Sequence, residues 1–204
     1  SYRRDGSSRL SPNTRWGDFW SVAGAWKINS EDFMKDLSSI SNLRLRASYG
    51  VNGTLPTANF GWRSLTSYGS KYMNQAGGGI SNMVEPNLSW ETCYSTNLAL
   101  EFGLFNNRIT GTVEYFNRDS KNLLQDVPIS MVTGFGSTLR NVGEINNRGL
   151  ELDLGGDIIR KDDFRWSASV NASFIKSKVT KLYSNGTSPQ GQDIIWYDPT
   201  GGDA

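Results

Sequence analysis

Six stretches of the chain alternate apolar and polar residues with a period of two. Along 42–52 one side reads Leu43, Leu45, Ala47, Tyr49 and Val51, and the other Arg44, Arg46, Ser48, Gly50 and Asn52. From Trp90 to Leu104 one side carries Trp90, Thr92, Tyr94, Thr96, Leu98, Leu100, Phe102 and Leu104. Glu91, Cys93, Ser95, Asn97, Ala99, Glu101 and Gly103 fall on the other. Successive side chains of a strand point to opposite faces, so each stretch has an oily flank and a wet one. Two settings produce this: a sheet resting one face on a core, or a barrel wall between lipid and water.

The alternation predicts strands over about 18–28, 42–52, 88–105, 108–118, 147–160 and 164–176, with a seventh ending near Arg9. The fold class is therefore all-β and antiparallel. Most of these strands reach 11 residues or more, against a usual length of about 5–6 in globular sheets. A tilted bilayer crossing needs about 9–11 residues, which favours the barrel.

Connections differ at the two ends. Asn106-Asn107 and the 160–163 segment are tight turns, whereas 53–87, 119–146 and a segment from about 178 are long, polar and Gly-rich. Short turns at one rim and long loops at the other is the asymmetry of outer-membrane barrels. In the segment 29–41, Ser30 is placed as the cap of one helical turn through Leu37. With the short turns periplasmic, Trp26, Phe102, Phe105, Phe164 and Trp166 gather at the lower boundary. Trp20, Tyr49, Trp90, Tyr94 and Tyr115 gather toward the upper one. Rings at both interfaces are the aromatic girdles of such barrels; the competing reading has them fill a sandwich core.

Composition narrows the classes. No run of 18 apolar residues offers a membrane-spanning helix. The 21 basic and 20 acidic residues are spread along the chain, so no basic patch points to nucleic acid. The chain has no histidine, which removes His-based triads and His metal sites. Its one cysteine, Cys93, excludes an internal disulfide and lies on the polar flank of its strand.

Glu151, Asp153 and Asp157 share one flank, and i, i+2 carboxylates stand near the low end of the roughly 5–9.5 Å that glycoside hydrolysis uses. A solvated pore wall accounts for them without catalysis. Gly77-Gly78-Gly79 lacks the Lys and Ser/Thr of a phosphate loop and is placed at a flexible loop tip. The 198–203 segment lacks EF-hand spacing, and Asn185-Gly186-Thr187 matches the N-glycosylation pattern. No enzyme, metal or cofactor emerges. Trp62, Tyr68, Tyr72 and Phe135 stand in the long loops among Gly, Ser and Asn, where aromatic rings suit sugar or peptide contact or simply pack the loop on itself.

Several segments carry a family resemblance. They are Arg4-Asp5-Gly6-Ser7-Ser8-Arg9, Arg15-Trp16-Gly17, Glu31-Asp32-Phe33-Met34 and Asn42 to Gly50. Pro86-Asn87-Leu88-Ser89-Trp90-Glu91, Phe102 to Arg108, Tyr115-Phe116-Asn117, Leu123-Leu124, Asn141 to Gly149 and Phe164-Arg165-Trp166-Ser167 continue the series. In this order they resemble the C-terminal barrel of SusC/RagA-type TonB-linked outer-membrane transporters. The resemblance implies an importer of oligosaccharides or peptides embedded in outer-membrane lipid, driven by the TonB complex and working with a SusD-like surface lipoprotein. It also implies a barrel of about 22 strands, so residues 1–204 are expected to form one sector, without the plug domain, TonB box or signal peptide. Such a sector is not expected to transport alone, because open sheet edges are not viable in lipid.

On this reading Arg44, Arg46, Glu101, Glu114, Glu151, Asp153 and Asp157 face the lumen. Two rival readings stay open. One is a small self-contained barrel, an anchor or adhesin, with Ile194-Ile195-Trp196-Tyr197 as an eighth strand. The other is a soluble β-sandwich module that binds glycan.

Overall fold

A computed structural model describes residues 1–183 except 36, 38, 58 and 162, and gives the backbone alone for 70, 72 and 76. The 194–197 strand expected above lies outside the described residues.

The chain forms nine strands: β1 (Tyr2–Gly6), β2 (Trp16–Lys27), β3 (Ile40–Thr54), β4 (Thr66–Tyr72), β5 (Gln75–Ile80), β6 (Glu91–Leu104), β7 (Ile109–Pro128), β8 (Ser137–Lys161) and β9 (Phe164–Lys181). Seven make one antiparallel sheet in the order β1-β2-β3-β6-β7-β8-β9, and β4-β5 form a separate hairpin. Among the described residues β1 pairs only with β2 and β9 only with β8, so both edges of the large sheet are open.

Register carries each flank intact from strand to strand. Trp26, Leu45, Leu100, Val113, Leu152 and Ala172 are successive partners along one row. The neighbouring row, on the opposite face, runs Arg44, Glu101, Thr112, Asp153 and Asn171. A one-residue slip in any pair would mix these faces. Among the described residues no second layer covers the apolar face: Val22, Leu98, Leu154, Val170 and Phe174 are all exposed there, Val170 by 68% and Phe174 by 65%. A sandwich would have sealed those side chains against a facing sheet.

Two glycines set the close packing of this wall. A Cβ on Gly111 would fall 2.5 Å from the Phe102 ring and 2.7 Å from Leu154, so Phe102 lies flat over the glycine. On the other face the Phe116 ring covers Gly149, 2.9 Å from where a Cβ would stand.

The structure corrects several expectations. Residues 119–146 are mostly strand: β7 runs to Pro128 and β8 starts at Ser137, leaving 129–136 as the connection. These extensions lack a regular alternation because only scattered side chains meet the small core above the sheet: Leu124 and Leu139 pack against it, and Val127 is fully buried. Backbone pairing with each other, as in Gln125 with Arg140 and Val127 with Thr138, supplies the rest. A bulge around Asn122, whose φ is 56°, interrupts the ladder. The 53–87 loop contains the β4-β5 hairpin, closed by Met73 and Asn74, both left-handed. Gly77–Gly79 therefore lie in strand β5, not at a flexible tip. The helical turn expected after Ser30 is two 3₁₀ turns, Ile28–Ser30 and Asp32–Met34, with no side-chain cap. Asn29 does the anchoring, accepting from the Leu43 amide at 3.2 Å.

At the long-loop end Leu10, Phe19, Val51, Leu88 and Trp90 form a small buried core. Trp90 meets Phe19 edge-on with ring centroids 5.2 Å apart, and its Nε1 donates to the Arg15 carbonyl at 3.2 Å. Its placement in an interfacial girdle is thus overturned: loop 7–15 folds over it, and the indole is buried.

Candidate functional site

The polar face of the sheet concentrates charge where β3, β6, β7 and β8 run side by side. Arg44 is the register partner of Glu101, and their side chains approach to 3.6 Å. Arg46 faces Ala99, whose methyl leaves the space above it open. The guanidinium uses that space to reach diagonally to Glu101, Nε to Oε1 at 2.6 Å, and outward to Glu114 at 3.9 Å. These side chains are part-exposed, so each pair contributes about 0.2–1 kcal/mol at most.

Beyond Glu114 the compensation stops. Glu114 and Glu151 are direct cross-strand partners, and Asp153 stands two residues from Glu151 on the same face. Like charges directly opposite destabilise a sheet. With Thr112, Asn171 and Ser173 these carboxylates line an open depression of about 560 Å³. Four carboxylates, Glu101, Glu114, Glu151 and Asp153, thus face two guanidiniums. Such an excess of carboxylates gives this face a negative potential that favours cationic groups. Among the described residues no cluster of three or more potential ligands suits a metal ion.

Asp157 departs from this group. It keeps the polar flank, paired with Ser167 just before a bulge beside the short turns, and there Arg165 covers it, donating Nε–H to Oδ1 at 2.8 Å with a second guanidinium nitrogen 2.8 Å from Oδ2. Its side chain is only 5% exposed, which makes it a clamp of the turn and removes it from the lumen wall.

On the opposite face the rings of Trp20, Trp26, Tyr49, Phe105, Tyr115, Phe164 and Trp166 are exposed. Trp20 and Tyr49 pack together at 5.5 Å, and Trp26 donates its indole N–H to Glu31 at 2.9 Å. Tyr94 is half-buried with the Lys121 ammonium 5.5 Å above its ring, and Phe102 lies over Gly111.

The loop layer separates the four aromatic candidates. Trp62 packs half-buried against the small core, with the Arg63 guanidinium 4.5 Å from its ring. Tyr68 projects from β4, 77% exposed. Tyr72 closes β4 opposite Gln75. Phe135 lines a cleft of about 520 Å³ between the base of the β4-β5 hairpin and the β7-β8 connection, together with Asn82, Glu85 and Asp126. Three polar pins position this cleft. Asn82 accepts from the Leu65 amide at 2.9 Å and donates to the Arg63 carbonyl at 2.7 Å. Glu85 pairs with Arg140 at 3.2 Å. Asn141 accepts from the Ser89 amide at 2.8 Å and donates to the Ser89 and Asn122 carbonyls. Sequence reasoning missed these residues, because a single amide bonding across 52 positions leaves no periodic trace.

Known proteins share this architecture. The family described as "TonB dependent receptor-like, beta-barrel" matches residues 1–196. TonB-dependent receptor P26 of Formosa agariphila is 36% identical over 183 residues, spanning 88% of this chain and 18% of that protein. TonB-dependent receptor SusC of Bacteroides thetaiotaomicron is 34% identical over 188 residues, 88% of this chain and 19% of SusC. Among solved structures, the RagAB peptide transporter superposes with a TM-score of 0.80 at 35% identity, covering 89% of this chain and 20% of that one. The RagAB peptide importer in its 'open-open' state gives 0.82 at 34% identity, covering 91% and 20%. The chain thus spans about a fifth of the length of the relatives it matches. An antiparallel sheet with one charged and one bare apolar face, matched over nearly its whole length, places this chain in the TonB-dependent receptor-like β-barrel family.

Proposed function

We propose that residues 1–204 form one sector of the barrel domain of an outer-membrane importer, powered through the TonB complex. The uncovered apolar face carries this reading: a band of exposed Leu, Val, Phe and Trp backed by a charged face is stable only between lipid and water. Along β9 the band spans Phe164 to Phe174, about ten rises of roughly 3.3 Å, which a 40–45° tilt reduces to about 24 Å. Trp26, Phe105, Phe164 and Trp166 form the lower girdle, and Trp20, Tyr49 and Tyr115 the upper one. Arg44, Arg46, Glu101, Glu114, Glu151 and Asp153 face the lumen. Further strands of the same barrel pair with the open edges of β1 and β9, since unpaired edges are not viable in lipid.

The cargo is an oligosaccharide or peptide, and no catalysis acts on it. A SusD-like lipoprotein sits over the loop layer, where Tyr68 and the Phe135 cleft meet solute. Similarity to the RagAB peptide transporter supports the peptide class, and the SusC/RagA-type resemblance of the sequence implies either. The test is uptake of labelled oligosaccharides and of labelled peptides by cells making the full-length receptor, with and without TonB. TonB-dependent uptake of one class is expected. Uptake that persists without TonB, or a receptor that fractionates with soluble protein, would overturn the reading.

A further inference from the structure

The apolar face ends abruptly at the long-loop end in a group of cations. Arg148 on β8 and Lys176 on β9 are direct register partners, and Lys178 follows two residues later on the same face. Lys121 reaches the same level from β7, over the Tyr94 ring. Two cations directly opposite each other in a ladder repel, and a sheet normally avoids the arrangement.

One local anion relieves it only in part: Asp119 lines a hollow with Arg148, Lys176 and Lys178, one carboxylate against three cations. Among the described residues Arg148, Lys176 and Lys178 form no ion pair. The Asp119 oxygens accept from Asn117 at 3.1 Å and from Asn146 at 2.6 Å, which turns them toward the amides. Glu144 is taken by Lys181 at 3.8 Å.

Two adjoining hollows meet at these residues. Tyr115, Arg148 and Lys176 line both. The upper hollow, about 440 Å³, adds Asn117, Asp119, Asn146 and Lys178 and is polar, with three cations against one carboxylate. The lower one, about 550 Å³, adds Leu150 and Phe174 and opens onto the apolar band. A cationic hollow stacked on a greasy one fits a molecule with an anionic head and a hydrocarbon tail. Free phosphate would use only the upper half.

From this juxtaposition we infer that the outer face of β7-β8-β9 binds the phosphorylated headgroup of an outer-leaflet lipid. Arg148, Lys176 and Lys178 hold the phosphate, and one acyl chain lies along Leu150 and Phe174. The inference rests on the membrane reading above and adds a specific lipid site to it.

The test uses the full-length receptor reconstituted into phosphatidylethanolamine vesicles doped with a bis-phosphorylated glucosamine lipid, or with its phosphatase-treated counterpart. After mild detergent extraction, native mass spectrometry counts retained lipid. Wild type is expected to retain the phosphorylated lipid alone. Combined Arg148→Ala, Lys176→Ala and Lys178→Ala should cut retention about 100-fold, as three basic groups at a membrane surface predict. Lys176→Gln alone should give a partial loss, and Arg148→Lys should preserve binding, with heat-modifiable gel migration confirming a folded barrel in each variant. Equal retention of the dephosphorylated lipid, undiminished binding in the folded triple variant, or displacement by millimolar inorganic phosphate would overturn the inference alone. A receptor that enters no vesicle would overturn the membrane reading with it.

Discussion

Arg46 and Glu101 bond at 2.6 Å although they are not register partners: Arg46 stands opposite Ala99, and Glu101 opposite Arg44. One carboxylate thereby joins two strands and two guanidiniums. The small Ala99 side chain makes the diagonal possible, so the pairing depends on three positions rather than two. Both partners are part-exposed, with side-chain exposures of 46% and 24%. A double-mutant cycle of Arg46→Ala and Glu101→Ala in the full-length receptor should yield a coupling of about 0.5 kcal/mol, in the range of exposed pairs. Denaturation midpoints would measure it, and a coupling several times larger would mean the wall is far drier than the geometry indicates.

Asp157 and Arg165 should respond unequally to substitution. The carboxylate is 5% exposed and the guanidinium 66%. Arg165→Met leaves a buried charge without its partner and should cost about 3 kcal/mol. Asp157→Asn leaves a solvated cation and should cost about 1–2 kcal/mol. Thermal unfolding of the two variants compares them directly, and the reverse order would refute the assignment of burial.

Gly149 tolerates no side chain. An added Cβ would strike both the Phe116 ring and the Phe174 carbonyl. Gly149→Ala should destabilise by about 1–3 kcal/mol, the usual range for overpacking. Adding Phe116→Ala should recover only part of this, since the backbone clash remains. Gly24→Ala is the control: nothing lies within 4 Å of its Cβ position, and stability should hold or rise slightly. The temperature at which the barrel loses its heat-modifiable mobility reports all three.

Leu152 and Asp153 are adjacent in sequence and point to opposite faces. Arginine at 152 should oppose membrane insertion by about 2–4 kcal/mol, the cost near a bilayer midplane, whereas arginine at 153 should insert normally. Spin labels give an independent reading. A label at Leu100 or Leu152 should report hydrocarbon, and one at Asp153 should be reached by water-soluble relaxants. Interchanged environments would invert the whole sheet.

Asn141 ties Ser89 to β8 through both its amide and its carbonyl. Asn141→Ala should free the Ser89 amide and speed its hydrogen exchange about tenfold or more, with the strands below unchanged. Unaltered exchange at Ser89 would show that the small core alone holds the loop layer.

The wall of the barrel was legible in the amino-acid order, because a one-sided environment imposes a period of two that no other force imitates. Leu43 to Val51, Ile109 to Tyr115 and Phe164 to Phe174 each declare their strand and their face without reference to a neighbour. The tight Asn106-Asn107 turn was equally plain, its residues being among the few that accept a left-handed backbone. Above the apolar band that signal stops. Residues 119–128 and 137–146 are strand chiefly because each finds the other's backbone, and the few apolar contacts they add, Leu124 and Leu139 on the small core and Val127 buried, fall in no regular period. Trp90 reads as an interfacial ring by phase, yet loop 7–15 folds over it and Phe19 fills the gap beside it. Asp157 reads as pore lining, and Arg165 of the neighbouring strand covers it. The alignment of Arg148 with Lys176 likewise exists only after β8 and β9 settle their register. Local patterning decided which flank of each strand is oily; long-range pairing decided which charges meet, because that depends on residues tens of positions apart.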